Sequence, residues 1–374
     1  MAPIKVLFPY VGDSVGGSHV SSLILAQALP VDRYAPVVAT HETGPLTGYF
    51  DSLGVHPVPA PAVPYVEGGA MMRALRGLRA TRVLARFLRR HGIGLVHTHD
   101  MRMHMTWGAA ARHAGVPHVW HQRTPARADK HARAALKADA LVAVSTYCAE
   151  TFPPAMRDAT RVIYNPFAVP PLPDRTAARA ALNATLGLPA TARPVLFVGN
   201  FAPRKRPQRF VALADALARQ GHDDLRFLML GDPRPPEGDA VRAAIEAAGL
   251  GERCLVLGAR HPVEPWLAGS ELLVAPAVDE AFGRTLVEAQ LLGTPVIASD
   301  AGGHREIVEH DATGLLVDAD DGPGFSRAAA ALLADDDRVR RLSDAARRAA
   351  ETRFGLHAHV DQMIDVYDRA ARAG

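Results

Sequence analysis

The chain alternates short apolar runs with helix-patterned segments, and it does so twice. In the first half, Ile4–Phe8, Ala35–Ala39, Leu95–His97, His118–His121, Ala140–Val144 and Arg161–Tyr164 read as buried strands. The first of these is expected to break at Pro9. Ala-rich segments with helical spacing lie between most of them. Strands alternating with helices call for a parallel sheet covered on both faces. Pro166, Pro170, Pro171 and Pro173 then crowd one stretch. Proline fixes φ and removes a donor, so this stretch is read as an interdomain linker. A second series follows: Val195–Gly199, Leu225–Gly231, Cys254–Gly258, Glu271–Pro276, Pro295–Ser299 and Gly314–Val317. Its helices are expected near Pro207–Arg219, Asp239–Ala248, Leu286–Leu292 and Asp337–Ala350. One more amphipathic helix, Leu356–Ala371, closes the chain, with Val360, Met363, Ile364, Val366 and Tyr367 on its apolar side. The reading is an α/β chain of two doubly wound units. Such sheets bind ligands beyond the carboxyl ends of their strands, so two facing units would hold a ligand in the cleft between them.

Composition narrows the function. The 374 residues fit two domains at roughly 150 residues each. Hydrophobic residues make up 48% and charged residues 22%, which excludes a disordered or collagen-like chain. A net charge of +3, from 42 basic and 39 acidic residues, gives no global field for nucleic acid. No stretch reaches the roughly 18 apolar residues of a membrane span, and no secretory pattern opens the chain, so a cytoplasmic location is expected. The two cysteines, Cys148 and Cys254, have no metal-ligand spacing and read as free thiols.

Several strand ends carry polar or glycine-rich sequence. Gly12-Asp13-Ser14-Val15-Gly16-Gly17 follows the first strand and precedes a helix. Its G-x-x-x-G-G spacing is not the dinucleotide fingerprint, which disfavours a nicotinamide dehydrogenase. It is either a tight turn or an anion-binding helix start. His97-Thr98-His99-Asp100 and His121-Gln122-Arg123-Thr124 end two further strands. Two histidines without a third ligand nearby make a poor metal site, and no metal is expected. Arg204-Lys205-Arg206 follows Gly199-Asn200 and is either a solvated turn or a diphosphate site. In Asp279-Glu280-Ala281-Phe282-Gly283-Arg284-Thr285-Leu286-Val287-Glu288, Thr285 and Glu288 match a capping box. Phosphate would then be favoured at the N–H groups near Leu286 and Val287. Gly302-Gly303-His304 either admits a ligand or merely turns.

Taken in order, these segments resemble the family 4 glycosyltransferases. They are the G-rich loop, H-x-H-D, the strand-end histidine, Tyr164-Asn165-Pro166 and G-x5-K. E-x-F-G-x4-E-A, G-x-P-V-I-A-S, G-G-x-x-E-I-V and T-G-L-L-V complete the set. The resemblance covers nearly the whole chain and is most specific from Val195 to Val317. It implies a GT-B fold, two Rossmann-like domains facing across a cleft. An acceptor-side domain would span 1–168 and a nucleotide-sugar domain 169–353, with a helix over 354–374 crossing back to the first. It implies retaining, metal-independent transfer from a nucleotide-diphosphate sugar to a hydroxyl acceptor, in glycan, lipopolysaccharide or glycolipid biosynthesis. The nucleotide sugar is a co-substrate and no further cofactor is implied. A UDP-sugar is the first expectation and GDP-mannose the second; the acceptor is a sugar, glycan or lipid-linked molecule.

Carried over residue by residue, Glu280 contacts donor-sugar hydroxyls, and Glu288 holds the ribose and caps its helix. Lys205, helped by Arg204, holds the diphosphate, and Thr285 and Leu286 face the phosphates. Phe282 and Gly283 belong to the same donor loop. His121 lies beside the reacting sugar. Gly16 and Gly17 border diphosphate and acceptor, and the base lies near Gly258-Ala259-Arg260. Catalysis would rest on His121, Glu280 and Lys205. Three positions depart from the family pattern: Asn200 where arginine is frequent, Arg206 and Ala281 where glycine is usual. Arg204 or Arg206 would then replace the missing phosphate charge. A nucleotide-sugar epimerase or a non-catalytic nucleotide-sugar-binding protein are the alternatives on this architecture.

One further segment stands apart. Arg79, Arg82, Arg86, Arg89 and Arg90 fall on one helix face at about 100° per residue, with Val83, Leu84, Phe87 and Leu88 beside and opposite them. Such a helix either packs its apolar side on the sheet or meets the inner face of an anionic membrane peripherally.

Overall fold

A computed structural model describes residues 2–62, 70–126 and 133–373. The chain divides into two compact units, Met1–Phe167 with Leu356–Gly374, and Ala168–Gly355.

The first unit holds a seven-stranded sheet in the order β3-β2-β1-β4-β5-β6-β7. Its strands are β1 Ile4–Tyr10, β2 Tyr34–Thr40, β3 Val58–Pro59, β4 Leu95–Thr98, β5 His118–Gln122, β6 Ala140–Ala143 and β7 Thr160–Val162. Every pairing is parallel. The second unit holds six strands in the order β10-β9-β8-β11-β12-β13. These are β8 Arg193–Val198, β9 Leu225–Leu230, β10 Cys254–Gly258, β11 Leu272–Ala275, β12 Val296–Ser299 and β13 Leu315–Val317. All are parallel as well. In each sheet the strand order reverses once, between β1 and β4 and between β8 and β11. Loops that leave such a reversal diverge to opposite faces and open a crevice for a ligand. The loops after β1, β4, β8 and β11 are among those with polar or glycine-rich sequences.

Pro9 does not end the first strand. The Ile4 N–H donates to the Arg33 carbonyl, and the Gly94 N–H donates to the Lys5 carbonyl. Even positions of β1 therefore face β2, and odd positions face β4. Pro9 faces β4, whose pairing with β1 stops at Leu7 and Val96, so its missing N–H costs no ladder bond. Pro9 stays in register with Ala39 on the other side. The short β3 and the helices Arg175–Leu186, Glu264–Gly269 and Gly322–Leu333 were not expected from the sequence. Asp174 caps the first of these by accepting from Thr176 and Ala177 N–H.

The helix Ala70–His91 resolves the basic segment. Leu84, Phe87 and Leu88 are buried with Val96, Trp107 and Ala110, and Phe87 meets Trp107 edge-on at 5.6 Å. Each such side chain contributes about 1.5–3 kcal/mol on burial. Arg79, Arg82, Arg86, Arg89 and Arg90 are exposed. Leu84, Phe87 and Leu88 are thus used in packing within the unit, against the sheet and the helix Met101–Ala114. No helix among the described residues is long and apolar enough to cross a membrane.

The last helix, Leu356–Ala373, packs within the first unit. Val360, Met363, Val366, Tyr367 and Ala370 are buried with Val6, Leu23, Val119 and Val142. Asp368 accepts from Tyr34 Oη at 2.8 Å and from Arg33 at 2.9 Å. Cys148 and Cys254 are both buried. Burial pushes the Cys254 thiol up to about 12, which keeps it an inert thiol.

Candidate functional site

In the second unit, β8 ends at Val198 and delivers Gly199. A Cβ there would lie 3.3 Å from Cδ of Lys205, so glycine makes room for the lysine stem. Pro203–Lys205 form one 3-10 turn, and Arg206 closes it with a left-handed φ of 50°. The Val278 N–H donates to the Arg204 carbonyl at 2.7 Å, which ties this turn to the loop after β11. That loop carries Glu280. Its Oε2 accepts from Lys205 Nζ at 2.7 Å and from Arg204 Nη1 at 2.5 Å. Burial alone would raise the Glu280 carboxyl. The two cations outweigh it and hold the group down at about 2. Arg206 does not join them. Its guanidinium donates to the Ala319 carbonyl and pairs with Asp320 at 3.2 Å. Of the two arginines expected to make up for Asn200, only Arg204 is beside Lys205. Asn200 itself accepts from the Asp232 N–H.

The Glu280 loop rests on Gly302 and Gly303. A Cβ on Gly302 would be 2.7 Å from the Glu280 carbonyl oxygen, and one on Gly303 would be 2.6 Å from that of Ala281. The Gly303 N–H donates to the Glu280 carbonyl at 2.8 Å. These glycines take a neighbouring backbone rather than opening to a ligand. His304, next in sequence, is buried, its Nδ1 has no hydrogen-bond partner, and its Cδ2 lies 3.0 Å from where a Cβ of Gly283 would be. Desolvation lowers it to about 4, so it stands neutral beside Glu280.

The expected capping box is not formed. The helix is Arg284–Leu291, its N-cap is Gly283 with φ 110°, and no side chain caps it. Only glycine adopts that φ without strain, and it shifts the start so that Thr285 falls inside the first turn. Glu288 pairs instead with Arg284, one turn back, at 3.1 Å. The Leu286 N–H already donates to the Gly283 carbonyl. The Thr285 N–H is among those that a helix's own ladder leaves unused. Phe282 is buried edge-on against Phe354 at 5.5 Å. Further along, Gly258 ends β10 with φ 72°, Ala259 follows, and Arg260 lies over the Trp266 ring at 6.0 Å.

In the first unit, Gly16 is the N-cap of the helix Gly17–Ala28, and its N–H donates to His19 Nδ1 at 3.0 Å. β4 ends at Thr98, so His97 lies on the strand and His99 beyond it, their rings 6.5 Å apart and nearly perpendicular. Asp100 caps the next helix by accepting from the Met103 N–H at 2.9 Å. His99 is buried with both ring nitrogens unpartnered, and Asp100 Oδ2 is unpartnered too. Burial pushes the Asp100 carboxyl up to about 6. His19, His99 and Asp100 place ligand-type atoms within 4.8 Å of one another, a proximity that the sequence did not show. Because His19 Nδ1 accepts from Gly16, the proton of the neutral ring sits on Nε2, and ligation through that atom would forfeit the Gly16 bond.

His121 lies on β5, fully buried. Its Nδ1 is 3.2 Å from Arg123 Nη2 and 3.2 Å from His97 Nε2, while its Nε2 has no hydrogen-bond partner. Arg123 is held by Asn165 Oδ1 at 2.5 Å, and His97 Nδ1 lies 2.7 Å from Tyr367 Oη. The sequence placed His304 in a loop that either admits a ligand or merely turns, read Tyr367 only as an apolar helix position, and suggested no role for Arg123.

Two family models match this chain: "Glycosyltransferase Family 4" over residues 15–169 and "Glycosyl transferases group 1" over residues 179–349. A D-inositol 3-phosphate glycosyltransferase of Xylanimonas cellulosilytica is 36% identical over 210 residues, covering 54% of this chain and 48% of that protein. The chain thus matches about half the length of such curated relatives. HepE of Anabaena, solved with UDP-glucose, superposes with a TM-score of 0.81 at 20% identity, over 98% of this chain and 99% of that one. A glycosyltransferase of Rickettsia africae reaches 0.83 at 16% identity over the whole of both chains. With one parallel α/β sheet in each unit the chain has the GT-B type of fold, and with both models matched it belongs to the family 4 glycosyltransferases.

Proposed function

We propose that the chain transfers a sugar from a nucleotide-diphosphate sugar to a hydroxyl acceptor, with retained anomeric configuration and without a metal ion. The observation that carries this reading is the Arg204–Lys205–Glu280 cluster at the strand reversal of the second unit. Two cations on one carboxylate are a diphosphate site with a placeholder. A nucleoside diphosphate would draw Lys205 and Arg204 onto its oxygens, and Glu280 would be released to accept from sugar hydroxyls. Lys205 and Arg204 then stabilise charge on the departing diphosphate, which is electrostatic catalysis. A phosphate oxygen takes the acceptor proton. Glu288 binds the ribose hydroxyls, Thr285 and Leu286 lie at the phosphates, and Gly258, Ala259 and Arg260 lie at the base. Phe282 and Gly283 hold the donor loop in shape. In the first unit Gly16 and Gly17 border the ligand, and His121 donates to the reacting sugar.

A uridine diphosphate sugar is the first choice of donor, supported by the UDP-glucose in HepE, and GDP-mannose the second. The curated relatives act on a phosphorylated inositol, which supports a polyhydroxylated acceptor. Synthesis of a glycan, lipopolysaccharide or glycolipid is the context proposed, at the cytoplasmic face. Exposed arginines from Arg79 to Arg90 would supply charge alone for a peripheral membrane contact. A thermal-shift panel of nucleoside diphosphates and nucleotide sugars, on wild type and Glu288→Ala, tests the reading. A shift with one base that shrinks in the variant supports it. Conversion of a nucleotide sugar without any acceptor would favour the epimerase alternative.

A further inference from the structure

The hydrogen bonds around His121 settle where its proton lies. A guanidinium can only donate, so Arg123 Nη2, 3.2 Å from His121 Nδ1, makes that nitrogen an acceptor. His97 Nε2 lies 3.2 Å from the same atom. Two lone pairs facing at that distance would repel, so His97 Nε2 carries a proton and donates. His97 Nδ1 is then the acceptor of its ring, and Tyr367 Oη, 2.7 Å away, donates to it. The chain of donors thus runs from Tyr367 through His97 to His121, and Arg123 fixes its direction. Burial and then the Arg123 charge push both imidazoles well below their usual range, so each is neutral with one proton. The remaining proton of His121 must sit on Nε2, an atom buried and without a partner.

We propose that Arg123 is a positioning residue that fixes His121 in its Nε2–H form, so that the ring offers a neutral donor, and neither a base nor a cation, to an oxygen of the bound sugar. The wire itself is reversible in principle. Without the guanidinium, His121 Nδ1–H can donate to His97 Nε2, and His97 Nδ1–H to the Tyr367 oxygen. His121 Nε2 would then present a lone pair to an oxygen that also has lone pairs, and the interaction would change from attraction to repulsion. Asn165 supports the lock by orienting the guanidinium through its Oδ1, 2.5 Å from Arg123 Nη1.

The role in sugar transfer rests on the reading of His121 given above, whereas the tautomer can be read on the ligand-free protein. The experiment is long-range 1H–15N NMR of the full chain labelled at histidine ring nitrogens, with His121 assigned by its loss in His121→Asn. In wild type the proton is expected on Nε2 of His121 and Nε2 of His97. A proton on Nδ1 of His121, or an imidazolium there at neutral pH, overturns the proposal. Arg123→Met should move at least half of the His121 population to the Nδ1–H form, and an unchanged Nε2–H form in that variant overturns it. Arg123→Lys keeps an obligate donor and should retain the wild-type pattern, so it carries the test if Arg123→Met does not fold. Tyr367→Phe should shift the His97 Nδ1 resonance and leave His121 unchanged; reversal of His121 there would take the directing role from Arg123. If the tautomers behave so but no nucleotide sugar is turned over by wild type, the lock stands and the transfer reading fails.

Discussion

Lys205 Nζ lies 2.7 Å from Oε2 of Glu280, an oxygen that Arg204 also contacts. The group proposed to hold the donor phosphates and the group proposed to hold the donor sugar are thus bound to each other before any donor arrives. This makes their effects on binding and on transfer separable.

Glu280→Gln should lower transfer about 100-fold or more, because the charged acceptor for sugar hydroxyls is lost. The same change frees both cations, so a nucleoside diphosphate lacking sugar should bind as well as in wild type or a few-fold tighter. Steady-state rates beside calorimetric titration with UDP check this. Near-normal turnover would remove Glu280 from the mechanism.

Gly303→Ala should damage the site from behind. Its Cβ would fall 2.6 Å from the Ala281 carbonyl oxygen and 2.7 Å from Phe282 Cα, backbone atoms that can yield only by moving the loop that carries Glu280. A cost of about 1–3 kcal/mol in stability is expected, along with a larger proportional loss of transfer than of UDP binding. Chemical denaturation and the two assays give the comparison.

Glu288→Ala should cost little stability. Its ion pair with Arg284 spans one helical turn and caps nothing. Such pairs contribute about 0.3–0.5 kcal/mol when exposed, and up to about 1 kcal/mol is expected for this one, whose side chains are only 13% and 20% exposed. The thermal shift produced by a ribonucleoside diphosphate should nonetheless shrink. A large loss of melting temperature in the absence of ligand would contradict the observed helix start.

Stability should fall as the pH drops below the ordinary histidine range. His97, His99, His104 and His121 are held neutral by burial, and His118 and His304 are lowered to about 4. The unfolded chain binds protons at these side chains from about pH 6.5 downwards, where the folded chain does not. Stability is therefore complete above that pH and lost progressively below it. Each such histidine contributes a slope of up to about 1.4 kcal/mol per pH unit. Denaturation midpoints across pH 7.5 to about 5 test the sign. A midpoint that is flat or rises on acidification would contradict it.

Most strands of both sheets were legible in the sequence, the central ones such as β8, β11 and β12 because they are largely buried and read as short apolar runs. Pro9 misled, since the cost of a proline depends on which neighbour its missing N–H would face, and that is set by register with β4. Thr285 and Glu288 matched a capping box in spacing, yet Gly283 starts the helix through a φ that sequence spacing does not reveal. The donor loop was legible because Glu280, Lys205 and Arg204 are charged residues at strand ends. The His121 network was not. Tyr367 is 270 residues from His97 and reads from sequence as one more apolar position of an amphipathic helix. Its hydroxyl acquires a role only once that helix lies against the sheet.

The most direct test of the account is calorimetric titration of wild type and Lys205→Ala with UDP and with uridine. Removing a charge-assisted contact to phosphate costs about 1.5–3 kcal/mol, or roughly 10- to 150-fold in affinity. That loss is expected for UDP, and no change is expected for uridine. Equal UDP affinity in the two proteins would contradict the account.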